Sequence, residues 1–164
     1  PYRRQRQMCI RDRHMTSYAP LLAKEKHTQW SPDLIYFNNR EVKPTTGYCV
    51  QKLYGQNAGS HYIPSQIILD NQDNRVKLRI GSSIVRDSKT GDVIVKLVNL
   101  LPVSVETEIQ LPGIGSVQPS AVRTVLAGAP ESTPLPVTDT IEVGVNFKQQ
   151  LPAYSFTVIR LKTK

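Results

Sequence analysis

Cysteine is nearly absent from this chain. Two occur in 164 residues, Cys9 and Cys49. One cysteine near the N-terminus and one in the body give no Cys-x-x-Cys metal spacing and no disulfide framework. Cys49 lies between Tyr48 and Val50 in a segment of helical pattern, where a buried, inert thiol is the simplest reading. The redox compartment stays open. No run approaches the roughly 18 consecutive apolar residues of a membrane helix, so no helical span is expected. A glycine-rich phosphate loop and a Ser-His-Asp arrangement are missing as well.

Positive charge is plentiful, with a formal net charge of +8. That balance suggests an anionic partner until its distribution is considered. Residues 1–13, PYRRQRQMCIRDR, hold five arginines and one aspartate, which is half of the excess. The body is only mildly basic and carries no basic stripe interleaved with aromatics, so nucleic acid is not the expected partner. Residues 1–13 have no apolar periodicity, no cap and no small-residue cleavage site. They read either as a disordered basic tail or as non-native, adapter-like sequence, and are set aside from the fold.

The remaining chain is long enough for a hydrophobic core. Its 12 prolines and nine glycines punctuate short apolar runs, a pattern of strands and turns rather than long helices. Met15–Leu22 reads as a buried strand that emerges into a polar loop, Trp30, Pro32 and Asp33 form turn chemistry, and Leu34–Phe37 reads as a second short apolar run. A helix follows, capped by Pro44, Thr45 and Thr46, carried by Tyr48, Val50, Leu53 and Tyr54, and stopped by Gly55 and Gly59. After residue 59 the period changes to two. Strands are expected at Ile67–Leu69, Val76–Ile80, Ser83–Val85, Val93–Leu100, Val103–Leu111, Ala121–Leu126, Ile141–Val145 and Ser155–Leu161. Lys89-Thr90-Gly91-Asp92 has the chemistry of a hairpin turn. The domain reading is a tail over 1–13, a strand–helix unit over 14–57, and an antiparallel β-sandwich over 58–164, mostly β in all. Asp70-Asn71-Gln72-Asp73-Asn74 lacks the spacing, glycine and terminal glutamate of a calcium loop and reads as a turn.

Candidate site residues cluster in the loop after the first strand. Gln29 has an amide that both donates and accepts, as a hydroxyl-bearing ligand requires; the alternative is an exposed loop glutamine. Trp30 offers either a flat apolar face to a ligand or an anchor that packs the loop. His27 can hydrogen-bond a ligand or orient a carboxylate, although a lone loop histidine usually does neither. Tyr18 lies on the strand itself. Among the glutamates, Glu25 in its Lys-Glu-Lys run reads as a solvated charge. Glu106 and Glu108 share one strand face, which suits a polar outer surface better than a catalytic pair.

Four segments carry a resemblance. SYAPLLAKEKHTQWSPDLIYFNN (17–39), YCVQKLYGQNAG (48–59), DVIVKLVNLLPVSVETEIQL (92–111) and LPAYSFTVIRLK (151–162) together resemble the C-terminal part of α-L-arabinofuranosidases of glycoside hydrolase family 51. The resemblance implies a (β/α)8 barrel whose eighth strand and helix are residues 14–57, followed by a jelly-roll-like sandwich. It implies a retaining glycosidase in which one glutamate protonates the leaving oxygen and a second attacks the anomeric carbon. In the family both glutamates lie upstream of the SYAP segment. This chain is therefore expected to hold neither and to be inactive alone, with none of Glu25, Glu41, Glu106, Glu108, Glu131 or Glu142 catalytic. Gln29, Trp30 and His27 become candidate substrate-binding residues. The implied partner is an arabinose-containing polysaccharide or oligosaccharide, met through the parent enzyme, with no cofactor and no metal. A homo-oligomer is compatible, and an extracellular or periplasmic parent is favoured. The competing reading is a non-catalytic carbohydrate-binding or adhesion sandwich. It calls for a row of exposed aromatics, and the sandwich region supplies only Tyr62, Phe147, Tyr154 and Phe156.

Overall fold

The computed structural model describes residues 18–163. Residues 1–13, with Cys9, and the start of the strand expected from Met15 lie outside them. The chain divides into two compact units, one ending at Tyr48 and the other running from Cys49.

The first unit is a three-stranded sheet of β1 (Leu22–Lys24), β2 (Ile35–Phe37) and β3 (Val42–Pro44). β1 and β2 run parallel with Leu22 opposite Ile35, and β3 returns antiparallel with Phe37 opposite Val42. The first strand is shorter and later than the apolar run suggests. Pro20 has no N–H to give a ladder. Pro20 and Leu21 contribute carbonyls instead, which accept from Leu34 and Ile35 N–H at 2.9 and 3.0 Å.

Helix α1 (Thr46–Gln56) crosses the division between the units. Thr45 Oγ1 accepts the Tyr48 N–H at 3.4 Å, as a capping side chain should. Cys49 and Leu53 are its buried residues, so the free thiol lies inside, as expected. Gly55 does not end the helix. It lies inside the last turn, and the chain breaks away at Gly59, whose φ of +68° suits glycine.

The second unit is an antiparallel sandwich. One layer has six strands in the order β4-β5-β6-β11-β8-β9, and the other is a ribbon of β7 and β10. Their bounds are β4 His61–Ile63, β5 Ile80–Arg86, β6 Val93–Asn99, β7 Val105–Gln110, β8 Val117–Ala127, β9 Val137–Glu142, β10 Asn146–Leu151 and β11 Ser155–Thr163. The sandwich expected from alternation is present. The odd residues Val93, Val95 and Leu97 join Ile159, Leu161 and Ala121 against Ile109 and Leu151 of the ribbon and Leu111 just beyond it. Gly91, at φ +78°, turns the β5–β6 hairpin.

The even face of β6 and β11 is buried too. Ile94, Lys96, Phe156 and Val158 are all below 9% exposed, because α1 supplies cover. Tyr54 stacks on Phe156 with ring centroids 4.6 Å apart. Lys96 Nζ donates to the Asn57 carbonyl at 2.7 Å, and Arg160 bridges Asp92 (2.9 Å) and Asn57. Burial pushes the Lys96 ammonium below the usual lysine range.

Several expected strands are corrected. Ile67–Leu69 forms no strand, and Ile68 is 84% exposed. Val76 belongs to a one-turn helix, α2 (Asn74–Lys77), because the Asp73 carboxylate accepts from Arg75 N–H and caps it. β4 and β10 were not expected, since HYI and NFKQQL carry too few apolar residues to show alternation.

Candidate functional site

The loop between β1 and β2 is the candidate site. A parallel pair needs a crossover, and this one is made by only the residues from Glu25 to Leu34. The loop is therefore a compact excursion whose ends lie side by side, as in an Ω-loop. Glu25 N–H donates to the Phe37 carbonyl at 2.9 Å at one end, and Leu34 N–H to Pro20 at the other. Lys26 takes a positive φ of 64°, the Ser31–Pro32 bond is cis, and His27 N–H closes a turn onto the Lys24 carbonyl at 3.0 Å.

Inside the loop the organising group is Thr28. Its hydroxyl accepts the Trp30 N–H at 3.1 Å and lies 3.0 Å from Asp33 Oδ2, to which it donates. Asp33 is buried at 2% exposure, and its N–H donates to the Tyr36 hydroxyl at 2.9 Å. A buried carboxylate needs such partners. Leu34, the next residue, gives its carbonyl to Thr45 N–H and Thr45 Oγ1, the latter at 2.7 Å. Thr28, Asp33 and Tyr36 thus form the loop's frame. The turn chemistry of Pro32-Asp33 was visible in the sequence. That Asp33 faces inward to Thr28 was not.

This frame leaves the three candidate residues outside. His27, Gln29 and Trp30 are all exposed, Trp30 at 69%. Trp30 does not anchor the loop by burial; Asp33 and Leu34 do that. The three sit within four positions of one another on one constrained loop, and Gln29 makes no side-chain hydrogen bond among the described residues. Tyr18 is half-buried just before β1.

The glutamates are otherwise engaged. Glu25 is not a simple solvated charge: Lys43 Nζ lies 2.8 Å from Glu25 and 3.0 Å from Glu41, and Asn38 Nδ2 donates to Glu25 at 2.8 Å. Hydrogen bonding from Lys43, then from Asn38, holds both carboxyls below the usual range, and the same contacts raise Lys43. This cluster ties the loop's first residue to the β2–β3 hairpin. On the sandwich, Glu106 pairs with Lys148 at 3.0 Å, and Glu108 accepts from Gln110 at 2.8 Å. Among the described residues no group of His, Cys, Asp and Glu is placed to hold a metal ion.

The four sandwich aromatics form no exposed row. Phe156 is buried under Tyr54, Phe147 packs against the core, Tyr154 is half-buried, and Tyr62 alone is exposed. The surface that a stand-alone carbohydrate-binding sandwich calls for is thus absent among the described residues.

The family model for the α-L-arabinofuranosidase C-terminal domain matches residues 12–155. The chain belongs to that family. The domain is similar to a solved arabinose-bound family 51 α-L-arabinofuranosidase, at 32% identity and a TM-score of 0.78 over 90% of this chain and 24% of that one. It is 50% identical over 52 residues to an extracellular exo-α-L-arabinofuranosidase of Streptomyces chartreusis, covering 32% of this chain and 6% of the relative. It is 33% identical over 104 residues to a probable α-L-arabinofuranosidase A of Aspergillus terreus, covering 62% and 15%. A Thermotoga maritima α-L-arabinofuranosidase in complex with arabinose shares the fold at 13% identity, with a TM-score of 0.67 over 80% of this chain and 32% of that one. The domain therefore spans less than a third of the length of each of these relatives. The family and the mostly β sandwich fold inferred from the four sequence segments are both correct.

Proposed function

We propose that this domain is the C-terminal part of a retaining glycosidase that releases terminal α-L-arabinofuranosyl residues from arabinose-containing polysaccharides. The observation that carries the reading is the likeness over 90% of this chain to an arabinose-bound α-L-arabinofuranosidase of which the chain spans 24%. The catalytic acid and nucleophile, a carboxyl pair about 5–5.5 Å apart in a retaining enzyme, belong to the upstream part of the parent. Residues 14–57 supply the last strand and helix of its barrel, and residues 58–164 the sandwich that follows.

In this reading the loop after β1 lies where barrel enzymes build their sites, at the C-terminal ends of parallel strands. Gln29 exchanges hydrogen bonds with a sugar hydroxyl, Trp30 offers its ring to a sugar face, and His27 borders them. The Thr28–Asp33–Tyr36 frame fixes all three, which limits the ordering that binding would otherwise require.

The test has two arms. The purified 164-residue chain, given an aryl α-L-arabinofuranoside, is expected to show no turnover. Turnover that survives purification and disappears when a glutamate of this chain is changed to glutamine would overturn the assignment of catalysis to upstream residues. Joined to its upstream sequence, the enzyme is expected to cleave the substrate, and Gln29→Ala or Trp30→Ala to lower kcat/KM by about 10- to 100-fold, the effect of losing one or two good contacts. An active enzyme indifferent to both substitutions removes these residues from the site.

A further inference from the structure

Gln29 and Trp30 have no side-chain anchor of their own. Both are exposed, and neither side chain is hydrogen-bonded among the described residues. Such groups lose conformational freedom when a ligand orders them, which weakens binding unless something else has already fixed the main chain that carries them.

That main chain is held by one hydroxyl. Thr28 Oγ1 accepts the Trp30 N–H at 3.1 Å, closing a turn with Gln29 at its apex. The hydroxyl has a single proton and two acceptors in reach, Asp33 Oδ2 at 3.0 Å and the Trp30 carbonyl at 3.1 Å. Asp33 takes it. Its side chain is 2% exposed and needs a donor, whereas the exposed Trp30 carbonyl has water available. Asp33 is fixed in turn by the Tyr36 hydroxyl on its N–H, and Thr45 Oγ1 holds the carbonyl of the next residue, Leu34. A chain of contacts therefore runs from the sheet through Asp33 and Thr28 to the backbone of Gln29 and Trp30. Among the described residues no other side chain is hydrogen-bonded to the main chain of residues 27–32. The proton and one of the two lone pairs of Thr28 are engaged inside the loop, so its part is to place its neighbours rather than to touch a ligand.

We propose that Thr28 is the positioning residue of this site: its hydroxyl, bridged between Asp33 and the Trp30 N–H, presets Gln29 and Trp30 for the sugar. This rests on the reading that the loop meets an arabinofuranosyl unit. Without the hydroxyl the contacts to substrate can still form, but the loop must be ordered as they do. The loss then falls on binding and leaves the chemical step alone.

Thr28→Val keeps the branched shape and removes the bridge; Thr28→Ser keeps the bridge. In the isolated chain, exchange of the Trp30 amide should quicken about 3- to 10-fold in Thr28→Val, the effect of losing one net hydrogen bond. Trp30 is the only tryptophan of the chain, so its fluorescence anisotropy decay should gain a larger fast component. Thr28→Ser should match the parent in both. In the enzyme joined to its upstream sequence, Thr28→Val should raise KM for an aryl α-L-arabinofuranoside about 3- to 10-fold with kcat little changed, and Thr28→Ser should leave both near the parent. Where Gln29→Ala and Trp30→Ala are already present, Thr28→Val should barely move KM, since nothing remains to be positioned. A residue that only stabilises the fold would lower the apparent kcat and the melting temperature and leave KM unmoved; that result overturns the proposal. So does a KM effect of full size in the Gln29→Ala, Trp30→Ala background. Unchanged Trp30 exchange in Thr28→Val refutes the role of Thr28 alone. Indifference of an active enzyme to Gln29→Ala and Trp30→Ala instead removes the whole loop from the substrate site, so the two failures are told apart.

Discussion

Asn99 is the most heavily committed polar side chain in the sandwich, and replacing it is expected to be among the most damaging single changes. It is fully buried at 0% exposure. Its Nδ2 donates toward the carbonyls of Val103 (2.9 Å), Pro152 (2.8 Å) and Leu151 (3.3 Å). Its Oδ1 accepts the Leu101 N–H at 2.9 Å. One amide thus holds the crossover leaving β6 and the turn between β10 and β11, so it joins the two layers. Asn99→Ala strands the Leu101 N–H and takes the amide donor from the Val103 carbonyl, while Leu151 keeps its ladder partner Val105 and Pro152 keeps the Ser155 hydroxyl at 2.7 Å. Each buried group left without a partner costs about 1–3 kcal/mol. Partial relaxation and water entry reduce the sum to about 3–5 kcal/mol. Against a typical total of about 5–15 kcal/mol that is a large fraction. At about 2–4 °C per kcal/mol, the melting temperature should fall by roughly 6–20 °C. Asn99→Asp should be worse at neutral pH, because it turns an anionic oxygen toward three carbonyl oxygens. Urea unfolding followed through amide signals of β6 and β11 gives both values. If Asn99→Asp is as stable as the parent within about 1 kcal/mol, the donor role of Nδ2 is wrong and the reasoning fails.

Gly59 has φ +68° and no room for a methyl group, since an added Cβ would lie 2.5 Å from Val85 Cγ2. Gly59→Ala should cost about 2–5 kcal/mol in thermal or urea unfolding, from the left-handed backbone and overpacking together. Gly55→Ala, with open space around its Cβ position, should instead stabilise α1 by about 0.5–1 kcal/mol. Phe156→Ala should cost about 3–5 kcal/mol and release Tyr54, seen as a loss of the near-ultraviolet dichroism of the stacked pair. Asp139 is hydrogen-bonded by Arg123, which holds its carboxyl below the usual range. The folded state thus binds fewer protons than the unfolded state, and this contribution is complete above the unfolded value of about 3.9. It is lost as pH falls through the lowered folded value. An NMR titration should place Asp139 below the usual range and Arg123→Gln should bring it back; an unchanged titration would refute the pairing.

Much of the sandwich was legible because its period of two is strong where both faces matter. Val93–Val98 alternates cleanly, and Gly91 marks its hairpin. The sequence could not show that the even face would be buried as well, since Lys96 lies on it and reads as solvent-facing. Only the arrival of Tyr54 of α1, and of Asn57 just beyond its end, makes that lysine an interior donor. Strands β4 and β10 were invisible because pairing with β5 and β7, rather than their own pattern, makes them strands. Val76 misled in the opposite sense: an apolar residue in a short run looked like strand, and one aspartate cap decided for a helical turn.

The same division holds at the candidate site. Local chemistry alone marked the loop, because a tryptophan, an amide and a Pro-Asp turn between two apolar runs leave little else for that segment to be. The motif residues likewise sufficed to assign the family. What only the tertiary structure decided is which polar groups face in. Asp33 is buried on Thr28, Glu25 is captured by Lys43, and His27, Gln29 and Trp30 are left outside. Sequence fixes periodicity and turn chemistry because these act over neighbouring residues. The partners of a carboxylate depend on how the loop closes and on which strands are brought side by side, which no local pattern records.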